Sequence, residues 1–176
     1  PAVAIDNFNA IAESVAYAIS LGHETIGFLT GLDDSDVGTH RLSGYLNSLE
    51  AHGITYRNDL VFKGNYSFES GFSGAEHFLA LADPPTAIIC ANDSMALGVM
   101  KKLDACGISV PGDISIIGFD DIAVASQITP ALTTTTAPVQ DIAMHAVTLL
   151  INLIEERQIS MPHITLRARL AVRGTC

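Results

Sequence analysis

Apolar residues in this chain follow two alternating patterns. Short unbroken apolar runs are separated by longer stretches in which apolar residues recur every three or four positions. The first pattern is that of strands buried on both faces, the second that of amphipathic helices. Residues 84–121 show both most clearly. Ala87, Ile88, Ile89 and Cys90 make a run long enough for a buried strand and too short for a helix. Asn92 and Asp93 follow, and either can cap a helix start. Ala96, Val99, Met100 and Leu103 then recur at helical spacing, with Lys101, Lys102 and Asp104 on the wet side. Gly107 stands where a helix end favours a residue tolerant of positive φ. Ile114–Ile117 is a second buried strand, ending in Gly118. Two such strands joined by one helix predict a βαβ unit and a parallel sheet.

The same reading extends along the chain. Val3–Ile5 ends a strand, Asp6-Asn7 turns, and Phe8–Leu21 is a helix stopped by Gly22. Thr25–Thr30 is a strand that ends in the polar turn 31–39. Arg41–His52 is a helix with Leu42, Tyr45, Leu46 and Leu49 inward. Leu60–Phe62 is a strand with Gly64-Asn65-Tyr66 past its end, and Glu69–Leu81 is a helix. Residues 122–136 are irregular, although the threonine run Thr133–Thr136 favours extended backbone. Pro138 suits a helix start, and Val139–Glu156 is amphipathic, with Ile142, Ala146, Val147, Leu150, Leu153 and Ile154 on its apolar side. Ile164–Val172 alternates with period two, as an edge strand does. The expected fold is α/β, a doubly wound parallel sheet in two lobes. Residues 1–22 and 128–158 belong to an incomplete first lobe, 25–125 form the second, and 164–173 are the second lobe's terminal strand.

In open α/β sheets, ligands sit outside the carboxyl ends of the strands. Here those ends carry Asn92-Asp93 and Asp120-Asp121. Capping and turn formation would explain the same residues, so the two accounts stand side by side. Arg41 is expected near a helix N-terminus, where the dipole disfavours a cation. A hydroxyl-rich or anionic partner would explain it, and so would simple solvent exposure. Tyr66 past a strand end could stack on a sugar face or a base, or pack on the rim of the core. Asp6 could face a ligand or cap its helix.

Composition narrows the classes. The chain has 176 residues, 48% hydrophobic and 16% charged, enough for a substantial core. A net charge of −10 gives no electrostatic footprint for nucleic acid or an anionic membrane. Three cysteines fit neither a metal site nor a disulfide framework, and a reducing cytoplasm is the expected home. No apolar run reaches the ~18 residues of a membrane span, and residues 1–12 lack the pattern of a signal peptide. No GxxxxGK[ST], GxSxG or HExxH is present, so no cofactor, metal or catalytic set is expected.

The stretch ANDSMALGVMKKLDACGISVPGDISIIGFDDI, followed by ITPALTTTTAP, closely resembles the core of LacI/GalR-type bacterial transcriptional regulators. AIDN, LGHETIGFLTG, RLSGY and GNYSFESG match in the right order. The resemblance implies a periplasmic-binding-protein-like core in which a small-molecule effector closes two lobes. It implies a cytoplasmic homodimer that binds operator DNA through a headpiece upstream of Pro1. It also implies Arg41, Asn92 and Asp120 as hydrogen-bonding residues, Tyr66 as a stacking ring and Asp6 as the first-lobe contact. Such a set suits the hydroxyls of a sugar or nucleoside better than a phosphate. The GNYSFESG and HRLSGY stretches are similar to the nucleoside- and purine-responsive members, notably the cytidine-responsive subgroup. A periplasmic sugar-binding protein of the same fold is the alternative, and an enzyme of flavodoxin-like fold lacks its catalytic set.

Overall fold

A computed structural model describes residues 1–32 and 35–176, so Asp33 and Asp34 of the polar turn 31–39 lie outside the described residues. The larger sheet has six strands. They are β2 (Ile26–Thr30), β3 (Val61–Lys63), β4 (Ala87–Cys90), β5 (Ser115–Asp120), β6 (Thr133–Thr136) and β8 (Arg169–Ala171). Their order is β3-β2-β4-β5-β6-β8. All neighbours are parallel except β8, which pairs antiparallel with β6. A separate parallel pair joins β1 (Ala2–Ile5) to β7 (His163–Leu166).

Helices α1 (Asn7–Ser20) and α2 (Asp36–Ala51) pack together, as do α3 (Phe68–Leu79) and α4 (Asp93–Ala105). The sheet is covered, which is why β2 and β4 are buried at every residue and read as unbroken apolar runs rather than alternations. Phe28, Tyr45, Phe78, Met95 and Phe119 fill the core. Phe28 and Tyr45 stack at 5.0 Å, and the Tyr45 hydroxyl donates to the Ile26 carbonyl. Between α3 and α4 the backbones touch. A Cβ on Gly71 would lie 2.0 Å from the Met95 carbonyl, and one on Gly98 would lie 2.0 Å from that of Phe68.

The threonine run is buried strand rather than open backbone. Thr133 Oγ1 accepts from Arg173 N, Thr134 Oγ1 donates to Asp93, and Thr135 Oγ1 meets Ser14 Oγ at 3.2 Å. Each hydroxyl has a partner, so the burial carries no unpaired polar group.

Two expectations are corrected. The helix bearing Arg41 begins at Asp36, because Ser35 accepts from Gly38 N and caps it one turn earlier than the apolar stripe suggests. Arg41 therefore stands inside the helix and not at its start. The single terminal strand at 164–173 is two strands, β7 in the small sheet and β8 in the large one. The chain crosses between sheets at 167–168, where Ala168 is buried in the core, and periodicity alone carries no mark of that change of partner.

Three segments cross between the sheets: 5–7, 136–139 and 166–169. The helix α5 (Val139–Ile154) lies against β1 and β7. Leu149 is its one buried residue, while Val147, Leu150, Leu153 and Ile154 are exposed.

Candidate functional site

The carboxyl ends of β2, β4 and β5 form one rim, at Gly31, Ala91 and Asp120. Arg41 reaches it from α2 and is buried. Its Nε donates to Asn7 Oδ1 at 2.8 Å and its Nη1 to the Ala91 carbonyl. Its guanidinium carbon lies over the Phe119 ring, 3.6 Å from the centroid, a cation–π contact. These contacts offset the desolvation of a buried cation, which lowers its pKa, while Asp120 and Tyr66 act in the opposite sense. Nη2 has no hydrogen-bond partner among the described residues.

Asp120 ends β5 with φ 114, a left-handed backbone. The residue is exposed, yet its carboxyl group makes no hydrogen bond to a described residue. Desolvation by the surrounding protein pushes its pKa up to about 6; Arg41 pulls it down and buried Asp93 adds to the rise. A carboxylate left open in this way is free to accept hydrogen bonds.

Tyr66 also has positive φ, at 67. Its phenol lies across Gly31, where a Cβ would sit 1.9 Å from the ring carbon bearing the hydroxyl. Glycine is needed there for the ring to approach. The Tyr66 hydroxyl is buried without a partner among the described residues. Asn92 positions the ring's backbone: Nδ2 donates to the Tyr66 carbonyl at 2.9 Å while Oδ1 accepts from Met95 N and caps α4. The adjacent Asp93 is fully buried. Its Oδ1 accepts from Thr134 Oγ1 at 2.5 Å and its Oδ2 from Ile122 N at 2.9 Å. Burial raises its pKa and the two donors counter this.

The structure thus brings Arg41, Tyr66, Asn92 and Asp120 together. Asp6 stands apart. Its carboxylate accepts from Asn9 N and Asn9 Nδ2, caps α1, and lines a groove with Glu13, Asn47 and Arg167. Its neighbour Asn7 is the residue that reaches the rim. Sequence reasoning missed Asn7 and Phe119. The AIDN turn held the signal for the first, and the second reads only as core. Among the described residues no group of three His, Cys, Asp or Glu side chains could hold a metal ion. Nor is any helix among them long and apolar enough to cross a membrane. The rim presents one open carboxylate, one spare guanidinium N–H pair and an aromatic ring, groups able to accept, donate and stack.

Comparison with known proteins bears on the fold. The family model described as periplasmic binding protein-like domain matches residues 15–176. The probable HTH-type transcriptional repressor ExuR of Bacillus subtilis is 40% identical over 163 residues, covering 93% of this chain and 49% of its own length. The HTH-type transcriptional repressor CytR of Escherichia coli is 34% identical over 175 residues, covering 99% of this chain and 51% of its own. The crystal structure of a LacI-family sugar-binding transcriptional regulator from Escherichia coli, complexed with phosphate, matches with a TM-score of 0.91 and 35% identity, over 98% of this chain and 62% of that one. The chain spans about half the length of the curated relatives it matches. With two mainly parallel sheets joined by three crossings and a rim at the strand ends, this chain belongs to the periplasmic binding protein-like domain family, in the form found in LacI-family regulators.

Proposed function

We propose that this chain is the effector-sensing part of a DNA-binding transcriptional regulator, and that a small neutral polyhydroxyl molecule, a sugar or nucleoside, binds at the rim. Asp120 accepts ligand hydroxyls, Arg41 donates through Nη2, and Tyr66 stacks on a ring face. Asn92 holds Tyr66 and caps α4, and Asn7, bonded to Arg41, stands nearer the rim than Asp6, the residue expected to be the first-lobe contact. The observation that carries the reading is Asp120: an open carboxylate beside an arginine whose other N–H groups are already committed. An arginine committed on its Nε and Nη1 has no free fork for a bidentate anion, so hydroxyls fit better than phosphate.

The regulator half of the proposal rests on the relatives, whose names describe HTH-type repressors. Operator contacts are made outside these residues, since a chain with a net charge of −10 offers DNA no attractive surface. The working form is a homodimer in the cytoplasm, with the effector shifting the population of two lobe arrangements.

A thermal-shift panel of sugars, nucleosides and nucleobases on the complete natural chain tests this. A ligand of N-state protein raises the melting temperature with concentration. Asp120→Asn is the preferred variant, because Arg41 also supports the fold and its loss would confuse binding with stability. The expected result is a wild-type shift that Asp120→Asn loses. An equal shift in both proteins would remove the rim from consideration.

A further inference from the structure

Asp121 directly follows the rim carboxylate, and its own carboxylate is committed elsewhere. Oδ1 accepts from Arg173 Nη2 at 2.7 Å, and Oδ2 accepts from Thr136 Oγ1 at 2.8 Å. Arg173 Nη1 also donates to the Leu132 carbonyl at 2.9 Å. Thr136 is the last residue of β6, immediately before the crossing that leads to α5. Arg173 lies just past β8, the strand that completes the return crossing. One side chain therefore holds the large-sheet end of the crossing at 136–139 and, through Arg173, the end of β8 remote from the crossing at 166–169. The Arg173–Asp121 pair is largely shielded, with side-chain exposures of 22% and 18%, so solvent weakens it less than a surface pair.

The backbone links this clamp to the rim. Asp120 and Asp121 are consecutive residues with φ of 114 and 59. Two left-handed non-glycine residues in a row persist only where the surroundings hold them, and such points are discrete rather than continuously deformable. A ligand that repositions Asp120 acts on a dipeptide whose second side chain is tied to the crossing at 136–139.

We infer that Asp121 is a positioning residue that couples ligand contact at Asp120 to the crossing at 136–139, with Arg173 holding its carboxylate in place. The inference rests on the effector reading of the rim. Asp121 does not touch the ligand; it acts through Thr136.

The test uses the complete natural chain in a Cys176→Ser background. One spectroscopic label is placed on exposed Cys106 of the large lobe, and a second on Met161→Cys beside the small sheet. The probe is each sugar or nucleoside that shifts the wild-type melt, and the readouts are its Kd and the change in label separation on binding. Asp121→Asn and Thr136→Val are expected to keep Kd within about threefold while losing most of the ligand-induced change in separation. Thr136→Ser, which keeps the hydroxyl, retains that change. Amide exchange at residues 133–139 is expected to be faster in Asp121→Asn with no ligand present. A full change in separation in both variants, or unaltered exchange, overturns the coupling role while leaving the effector reading intact. A purely structural role would instead lower the melting temperature and weaken Kd together. A wild-type chain that binds nothing in the panel overturns both readings.

Discussion

The two lobes of this chain treat the same kind of helix in opposite ways. In the large lobe, α4 turns Met95, Ala96, Val99 and Leu103 onto the sheet and all four are buried. In the small lobe, α5 presents an equally apolar stripe, yet Leu150 is 55% exposed and Ile154 is 72% exposed. The difference does not lie in the helices. It lies in what each has to pack against: six strands in one case and two in the other. Amphipathicity states that a helix has a face to bury, and says nothing of whether the same chain segment supplies the partner.

Substitutions separate the two lobes most strongly in the core. Phe78→Ala is expected to cost about 3–5 kcal/mol in denaturant unfolding, because a fully buried ring leaves a cavity. Ile154→Ala in α5 should change the unfolding of these 176 residues by less than about 0.5 kcal/mol. Equal costs would break the comparison. Polar burial gives the next effect. Asp93→Ala removes the acceptor for both Thr134 and Ile122 and is expected to cost about 2–4 kcal/mol. A melt unchanged in this variant would show the Asp93 hydrogen bonds to Thr134 and Ile122 to be dispensable.

The rim sharpens the comparison further, because there the well-packed lobe departs from its own habit of pairing every polar group. The pKa of Asp120, pushed up to about 6, gives two opposed signs. A ligand that donates to the carboxylate needs it ionised, so affinity should fall about tenfold between pH 7 and pH 5. Titration calorimetry at the two pH values checks this, and Asp120→Asn should show no such dependence. Stability runs the other way. A carboxyl group whose folded pKa is raised favours the folded state when protonated, and that contribution is lost as pH rises from its ordinary value through about 6. Asp120→Asn should therefore melt slightly higher than wild type at pH 7, with the gap closing below pH 4. The smallest effect is expected at Tyr66. Removing its unpartnered buried hydroxyl in Tyr66→Phe should be neutral or stabilising by up to about 1 kcal/mol. A clear loss would mean that the hydroxyl has a partner in solution.

Much of the fold was legible because buried strands and capped helices leave local marks. The apolar runs at Ala87–Cys90 and Ile114–Ile117 and the Asn92 cap are properties of a few adjacent residues. What was not legible is non-local. The alternation from Ile164 to Val172 continues across a change of sheet, since period two is the same whichever partner the strand has. The start of α2 depended on Ser35, a cap standing before a turn with no apolar residue inward. At the site the sequence located the rim but not the division of labour on it. Asn92 and Asp93 are both good caps, and only packing shows that Asn92 caps while Asp93 is sealed beneath the sheet ends. Phe119 and Asn7 entered the site through Arg41, whose reach across the rim is a tertiary fact.

The antiparallel strand β8 has a consequence for the chain as it is made. Strands β2 to β6 are contiguous in the chain apart from their own connecting helices, so they can assemble during synthesis. The β6 edge then remains open while α5 and β7 are produced, and it is covered only when residues 169–171 arrive. Thr175 completes the closure, its hydroxyl bridging Thr133 N and the Ile116 carbonyl. During that interval the nascent protein carries an unpaired threonine-rich edge at β6. Misassembly should therefore concentrate in this window, and a pause in translation placed just after residue 136 would lengthen it.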